Sequence, residues 1–210
     1  MNSIPQETWD RLGVSRESVA RLEVLAGTLG AWQQRINLVA PSTVDDLWHR
    51  HILDAAQLLP LLPRGTRAIA DLGSGGGFPA LVLAAIQPAT VHMFEANAKK
   101  AAFLQEALRQ MKVQGHVHRQ RLEQGVAPKG MPIVQVVTAR AFAPLEELLG
   151  YAEPFFRAGA IGLFHKGQDV DAELTQAAKS WKISAQKHSS LTDSKAVILD
   201  VKEISHVDGN

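Results

Sequence analysis

Cysteine is missing from this chain of 210 residues. Its absence removes disulfides, thiolate nucleophiles and Cys-ligated metal centres, and it fits life in a reducing compartment. Net charge is almost missing too, since 22 basic and 21 acidic side chains leave +1. A molecule so balanced does not bind nucleic acid by bulk charge, so any RNA or DNA contact has to come from local basic patches. No apolar run is long enough to cross a bilayer, and Met1–Ile4 begins no signal peptide, so a cytoplasmic protein without membrane contact is expected. Eight histidines make metal worth testing, but no HExxH and no paired-His zinc spacing occurs, and no metal is expected. Repeats and low-complexity tracts are also lacking. What is present, 46% hydrophobic and 20% charged residues, suits one compact domain with a small appendage.

Two regions differ in texture. From Ser15 to about Leu38, the residues Val19, Leu22, Leu25, Ala26, Leu29, Trp32 and Ile36 recur at helical spacing. Pro41-Ser42 interrupts, and a second helix is expected through Leu47, Ile52, Leu53 and Leu58 to Leu62, ended by Pro60 and Pro63-Arg64-Gly65. Residues 1–64 thus read as a helical extension. After them, short β-like runs alternate with helical ones: RAIADL, PALVLAAI, VHMFE, NAKKAAFLQEALRQM, HVHRQ, IVQVVTAR, PLEELLGYAEPFF, AIGLFH, DAELTQAAKSW and KAVILDVKEI. Alternation of this kind predicts an α/β fold over 65–210, with a mostly parallel sheet covered on both faces. Only the turn LTDSK precedes the final strand, which is therefore expected antiparallel, at or near an edge.

Directly after AIA stands DLGSGGGFPA, Asp71 to Ala80, where a buried strand hands over to a helix. Four glycines there mean that something comes close to bare backbone, and strand carboxyl ends are where open α/β sheets bind ligands. No GK[ST] ends the loop, which excludes a Walker motif, and Phe78 stands where a dinucleotide fingerprint needs Gly or Ala. What remains is Asp71-x-Gly73-x-Gly75-x-Gly77, the acid-and-glycine pattern of S-adenosylmethionine-dependent methyltransferases. Asp71 can receive the ammonium of that cofactor. Glu95 ends the next strand, where a carboxylate can accept both ribose hydroxyls. Glu123, in RQRLEQ after the third strand, could cover the adenine amino group or be a solvated surface acid. Phe78 shapes the pocket.

Several stretches, in order over about residues 30–170, resemble the RsmG (GidB) family of small-subunit rRNA methyltransferases. They are WQQRINLVAPST, RHILDAAQL, DLGSGGGFPALVLA, FEANAKKAAFL, TARAFAPLEELL and HKG. Two positions depart from the family pattern: Ala80 replaces a glycine, and Gln135 replaces an acid at the start of the VVTARA strand. The resemblance implies a Rossmann-like class I methyltransferase domain at 65–210, with a terminal antiparallel strand and the N-terminal helical extension. It also implies methyl transfer to N7 of a guanine in the 530 loop of 16S rRNA. The expected cofactor contacts are Asp71, Gly73, Ser74, Gly75, Gly77, Phe78, Glu95, Ala96, Leu122, Glu123 and Arg140. Guanine N7 is already a nucleophile, so positioning and desolvation suffice and no general base is expected. Arg140 and Lys166 are accordingly cast as substrate-positioning groups, Lys166 toward phosphate or guanine O6. RNA contacts are expected from Asn37, His49, Arg50, His51, Arg119, Arg121 and Lys166, with Asn37 open also as a helix C-cap and His51 as a packing residue. Trp32 and Trp48 read as core. A monomer docking on the small subunit is the default.

Rival functions belong to other classes. A methyltransferase of the same fold for protein or small molecules is separated by substrate testing. An NAD oxidoreductase is opposed by Phe78 and by the lack of Tyr-x-x-x-Lys. A binding-only module would hold cofactor without turnover, and Gln135 is its one hint.

Overall fold

The computed structural model describes residues 4–207. The expectation about Met1–Ile4 falls almost wholly outside them, as do the last three residues of the 65–210 domain. Seven strands form one sheet: β1 (Ala68–Leu72), β2 (Thr90–Phe94), β3 (Gly115–His118), β4 (Val136–Arg140), β5 (Ile161–Lys166), β6 (Trp181–Ser189) and β7 (Val197–His206). Their order is β3-β2-β1-β4-β5-β7-β6. The first five are parallel, while β7 runs antiparallel to both β5 and β6. The final strand is thus antiparallel and near an edge, as expected, one place in from it. The hairpin returns inward, and β6, whose residues are mostly exposed, takes the edge.

The pleat divides the apolar side chains between two layers. On one face Ile69, Val91, Met93, Val136, Leu163 and Ile198 meet the N-terminal helices together with α4 (Ala80–Ile86) and α5 (Ala98–Met111). On the other, Ala70, Leu72, Phe94, Val137, Ala139, Phe164 and Leu199 pack under α6 (Leu145–Arg157) and α7 (Val170–Ala177). β1 is buried along its whole length, which is why it reads as an unbroken apolar run. Residues 119–135, between β3 and β4, form no helix.

The N-terminal region holds α1 (Gln6–Arg11) and α2 (Arg16–Gln33), the second capped by Ser15 through the Ser18 N–H. Trp9 and Trp48 meet edge to face in the core, and Trp32 packs similarly on Phe103 of α5. The single helix expected from Leu47 to Leu62 is not formed. After a 3₁₀ turn at the interruption (Pro41–Thr43), its place is taken by a π-helical turn (Trp48–Leu53), a short α3 (Asp54–Ala56) and another 3₁₀ turn (Leu59–Leu61). The π turn buries Trp48, His51, Ile52 and Leu53 together, a wider wrap than a 3.6-residue stripe can give.

Both departures from the family pattern are explained locally. Ala80 is the first residue of α4 and fully buried, so its methyl enters the core as helical side chain. Gln135 Oε1 accepts the backbone N–H groups of Arg67 and Ala68, both at 2.9 Å, doing for the start of β1 what a carboxylate would. It does so at the amino end of the strands, away from the glycine loop.

Candidate functional site

Two adjoining cavities lie along the carboxyl ends of β1, β2, β4 and β5. The first, of about 570 Å³, is formed chiefly by the glycine loop, the end of β2, the segment after β3 and the end of β4. Of the expected cofactor residues it is lined by Gly73, Ser74, Gly75, Phe78, Glu95, Ala96, Leu122 and Arg140. Gly76, Leu38, Lys100 and Tyr151 join them. Asp71, Gly77 and Glu123 do not. Asp71 lies beneath the loop, 1% exposed. Gly77 packs its backbone toward Leu81 and Leu104. Glu123 is exposed, because the chain turns outward just past Leu122.

The loop is shaped by close approach. Gly73 has φ +66°, and a Cβ there would overlap the Phe142 ring. A Cβ on Gly76 would stand 2.5 Å from the carbonyl oxygen of Leu38. Leu38 is itself held by Gln33, whose Oε1 accepts the N–H groups of Leu38 and Val39 and whose Nε2 donates to Val39 O. Sequence reading did not single out Gln33 or Gly76, since the contact joining them is tertiary. Glu95 Oε2 accepts from Gly75 N at 2.8 Å and Oε1 from Asn97 N at 2.7 Å, so the carboxylate is fixed while each oxygen keeps a free lone pair. Asp71 Oδ1 accepts from Thr138 Oγ1 at 2.6 Å. Asp71 Oδ2 is buried without a partner. Burial raises the Asp71 carboxyl to about 6, against the hydrogen bond from Thr138 and the nearby Arg140, which pull it down. A bare, glycine-lined cradle with one fixed carboxylate and one orphan carboxyl oxygen fits a ligand that carries an ammonium and a ribose.

The second cavity, of about 810 Å³, shares Arg140, Ala141 and Phe142 with the first as a common wall. Arg140, at the end of β4, is gripped from several sides. It donates to Asp54 Oδ2 at 3.0 Å, to Arg50 O at 3.2 Å and to His51 Nδ1 at 2.6 Å, and it lies over the Phe78 ring. Burial lowers its pKa, and Asp54 opposes that shift. Because His51 Nδ1 accepts from a guanidinium, its Nε2–H is the donor to Thr43 Oγ1, at 2.7 Å. Burial first, then Arg140, hold His51 down to about 4, so this ring is neutral. Asp54 Oδ1 accepts from Gln57 Nε2 and Thr192 Oγ1, each at 2.7 Å, and its carbonyl from His165 Nε2 at 2.8 Å. Asp54 was legible only as part of RHILDAAQL, with no role attached.

Lys166, at the end of β5, is buried, and its Nζ donates to Glu173 Oε2 at 2.6 Å and to Ala143 O at 3.2 Å. It lines the second cavity. Arg50 and His51 also line the second cavity, and Arg121 lines the first. Asn37, His49 and Arg119 line neither. Asn37 and Arg119 are exposed, and His49 is half-buried beside Asp46. Among the described residues no group of three or more His, Asp or Glu is placed to hold a metal ion, and no helix is long and apolar enough to cross a membrane.

The family model for rRNA small subunit methyltransferase G (GidB) matches residues 18–201 of this chain. A ribosomal RNA small subunit methyltransferase G of Paramagnetospirillum magneticum is 48% identical over 201 residues, covering 96% of this chain and 96% of the relative. Its counterpart in Rhodospirillum rubrum is 51% identical over 193 residues, covering 91% and 93%. Among solved structures, a putative O-methyltransferase from Klebsiella pneumoniae gives a TM-score of 0.57 at 14% identity, covering 87% of this chain and 90% of that one. An O-methyltransferase from Bacillus cereus in complex with SAH gives 0.54 at 14% identity, covering 88% and 91%. At such identity the two structures speak for the fold alone.

Proposed function

The chain belongs to the rRNA small subunit methyltransferase G (GidB) family, and from that premise we propose that it transfers the methyl group of S-adenosylmethionine to N7 of a guanine in the 530 loop of 16S rRNA. The observation that carries this reading is the pair of cavities with Arg140, Ala141 and Phe142 between them. One has the cradle for a cofactor, and the other is a separate chamber for a base drawn out of the RNA. When bound, the cofactor supplies a methyl group on a sulfonium, open to displacement by a lone pair.

The chain's own residues then bind and orient. Asp71, beneath the loop, sets its carboxylate charge under the site of the ammonium, and Glu95 offers its free lone pairs to the ribose hydroxyls. Gly73, Ser74 and Gly75 bring backbone alongside, with Phe78, Ala96 and Leu122 as apolar surfaces. Glu123 has no share in this, being outside the cavity. No proton has to leave guanine N7, and none of the neighbouring groups is set up to take one. His51 in particular has both ring nitrogens engaged. Positive charge moves onto the purine during transfer, so an unpaired cation beside it would oppose the reaction. Asp54 answers Arg140 at 3.0 Å, which leaves the guanidinium as a rigid, charge-balanced wall that excludes water and aligns base and cofactor.

Arg50, Arg121 and, farther out, Asn37, His49 and Arg119 serve as RNA contacts, mostly to phosphate and sugar. We read residues 1–64 as an extension packed on a methyltransferase domain at 65–210, and the protein as a cytoplasmic monomer that docks on the small subunit. The test is incubation with methyl-labelled S-adenosylmethionine and unmethylated small subunits or 16S rRNA, followed by chain cleavage at N7-methylguanine. One modified guanine in the 530 loop is the expected result. Cofactor binding without label in any RNA form would overturn the reading in favour of a binding-only module.

A further inference from the structure

Lys166 and Glu173 stand side by side in the second cavity, 2.6 Å apart through Nζ and Oε2. Glu173 comes from α7, and its Oε2 also accepts the N–H of Leu145, the first residue of α6, at 2.6 Å. That oxygen has both lone pairs in use. Glu173 Oε1 accepts nothing from any described residue, and the side chain, which lines the cavity, is 27% exposed. The ammonium of Lys166 has three N–H groups and spends two, on Glu173 and Ala143 O. The cavity therefore presents one free cationic donor directly beside one free anionic acceptor.

From this juxtaposition, which rests on the methyl-transfer reading above, we infer that Lys166 and Glu173 read the target base as guanine, with Glu173 as the specificity-determining residue. Guanine presents the acceptor O6 beside the donor N1–H, with the donor 2-amino group next. Adenine presents the reverse order, an amino donor beside the acceptor N1. A fixed donor–acceptor pair accepts the first order and rejects the second, because the wrong base leaves a carboxylate facing a lone pair and an ammonium facing an amino group. N7 flanks O6 on its other side. A base whose O6 meets Lys166 can thus present N7 toward the wall shared with the cofactor cavity. Glu173 is placed for this by the α6 N-terminus that it caps, so a purely structural role is the competing explanation.

The measurement is kcat/KM on small subunits assembled with guanine, inosine or 2,6-diaminopurine at the target position, for the full-length wild type, Glu173→Gln and Glu173→Asp. Inosine keeps O6 and N1–H, whereas diaminopurine keeps the 2-amino group but reverses the order at positions 6 and 1. For the wild type, inosine should stay within about tenfold of guanine and diaminopurine should fall about a hundredfold or more. In Glu173→Gln the amide can turn a donor toward N1, so the preference for guanine over diaminopurine should shrink at least about tenfold. Differences in intrinsic N7 reactivity cancel in that comparison. Glu173→Asp, still an acceptor, should keep the preference even if its overall rate drops. Loss of the cap alone would slow all three bases equally, and an unchanged preference in Glu173→Gln would overturn the inference. So would a wild type that methylates diaminopurine as well as inosine, a result that requires no variant to fold. A wild type that binds cofactor but labels no base at all would instead overturn the methyl-transfer reading, and the inference with it.

Discussion

Asp71 holds one proton-sized question. Its Oδ1 is satisfied by Thr138, its Oδ2 is not, and burial raises the carboxyl from 3.8 to about 6. A carboxyl raised in the folded state stabilises the fold fully below pH 3.8, and that contribution is lost as pH rises through 6. An ammonium held over the loop reverses the preference, since a nearby cation favours the ionised form. Affinity for S-adenosylmethionine should therefore weaken as the solution is acidified below pH 6, approaching about tenfold per pH unit. Calorimetric titration between about pH 5 and about pH 8 measures this. Asp71→Asn should bind at least about tenfold more weakly at the alkaline end and lose most of the pH dependence. At this scale the sequence is legible wherever chemistry is local: Asp71 and the glycines share a loop, and Glu95 ends the next strand. It is silent where partners come from far away. Asp54 meets Thr192 across 138 positions, and Glu173 means nothing until α7 is seen beside the end of β5.

Along β2 and β3 the imidazoles of His92, His116 and His118 gather on one face beside Phe94. His92 Nδ1 and His118 Nε2 lie 3.0 Å apart. Burial, reinforced by His116 and His118, lowers His92 from 6.5 to about 4, and His118 is shifted the same way. The unfolded chain takes these protons first. Stability is thus full above pH 6.5, declines as the solution is acidified toward 4, and is lost no further by this route below that. His51 adds to the decline in the same window. His92→Phe, which keeps a ring in the row, should reduce the fall in Tm between about pH 7 and about pH 5 by about 2–4 °C, read by calorimetry. Elements of ordinary period were readable in advance, notably β1, α4 and α5, each with its own apolar pattern and boundary. The stretch from 44 to 62 was not. Its side chains are buried nearly all round, and nothing in a stripe of leucines distinguishes a π turn from an α turn before the neighbours are in place.

Seen whole, the molecule is closed by contacts between its first third and its last. Arg50 pairs with Asp193, Asp54 accepts from Thr192, and Gln57 Oε1 accepts from Leu191 N. Thr192→Val deletes the hydroxyl that shares Asp54 with Arg140. It should cost about 1 kcal/mol of stability and lower kcat/KM while leaving affinity for S-adenosylmethionine nearly unchanged, as unfolding curves and steady-state kinetics would show. The parallel α/β architecture was readable from alternation alone, but the inward place of β7 was not, because a two-strand hairpin can dock either of its strands on the sheet. That place also sets an order. Thr192, Asp193, Val197 and Ile198 line the second cavity, so part of its wall follows the first cavity in chain order. The cofactor cradle, drawn from residues 38–151, is complete well before them. A chain stopped before Thr192 would therefore hold every residue that lines the first cavity and lack part of the wall of the second.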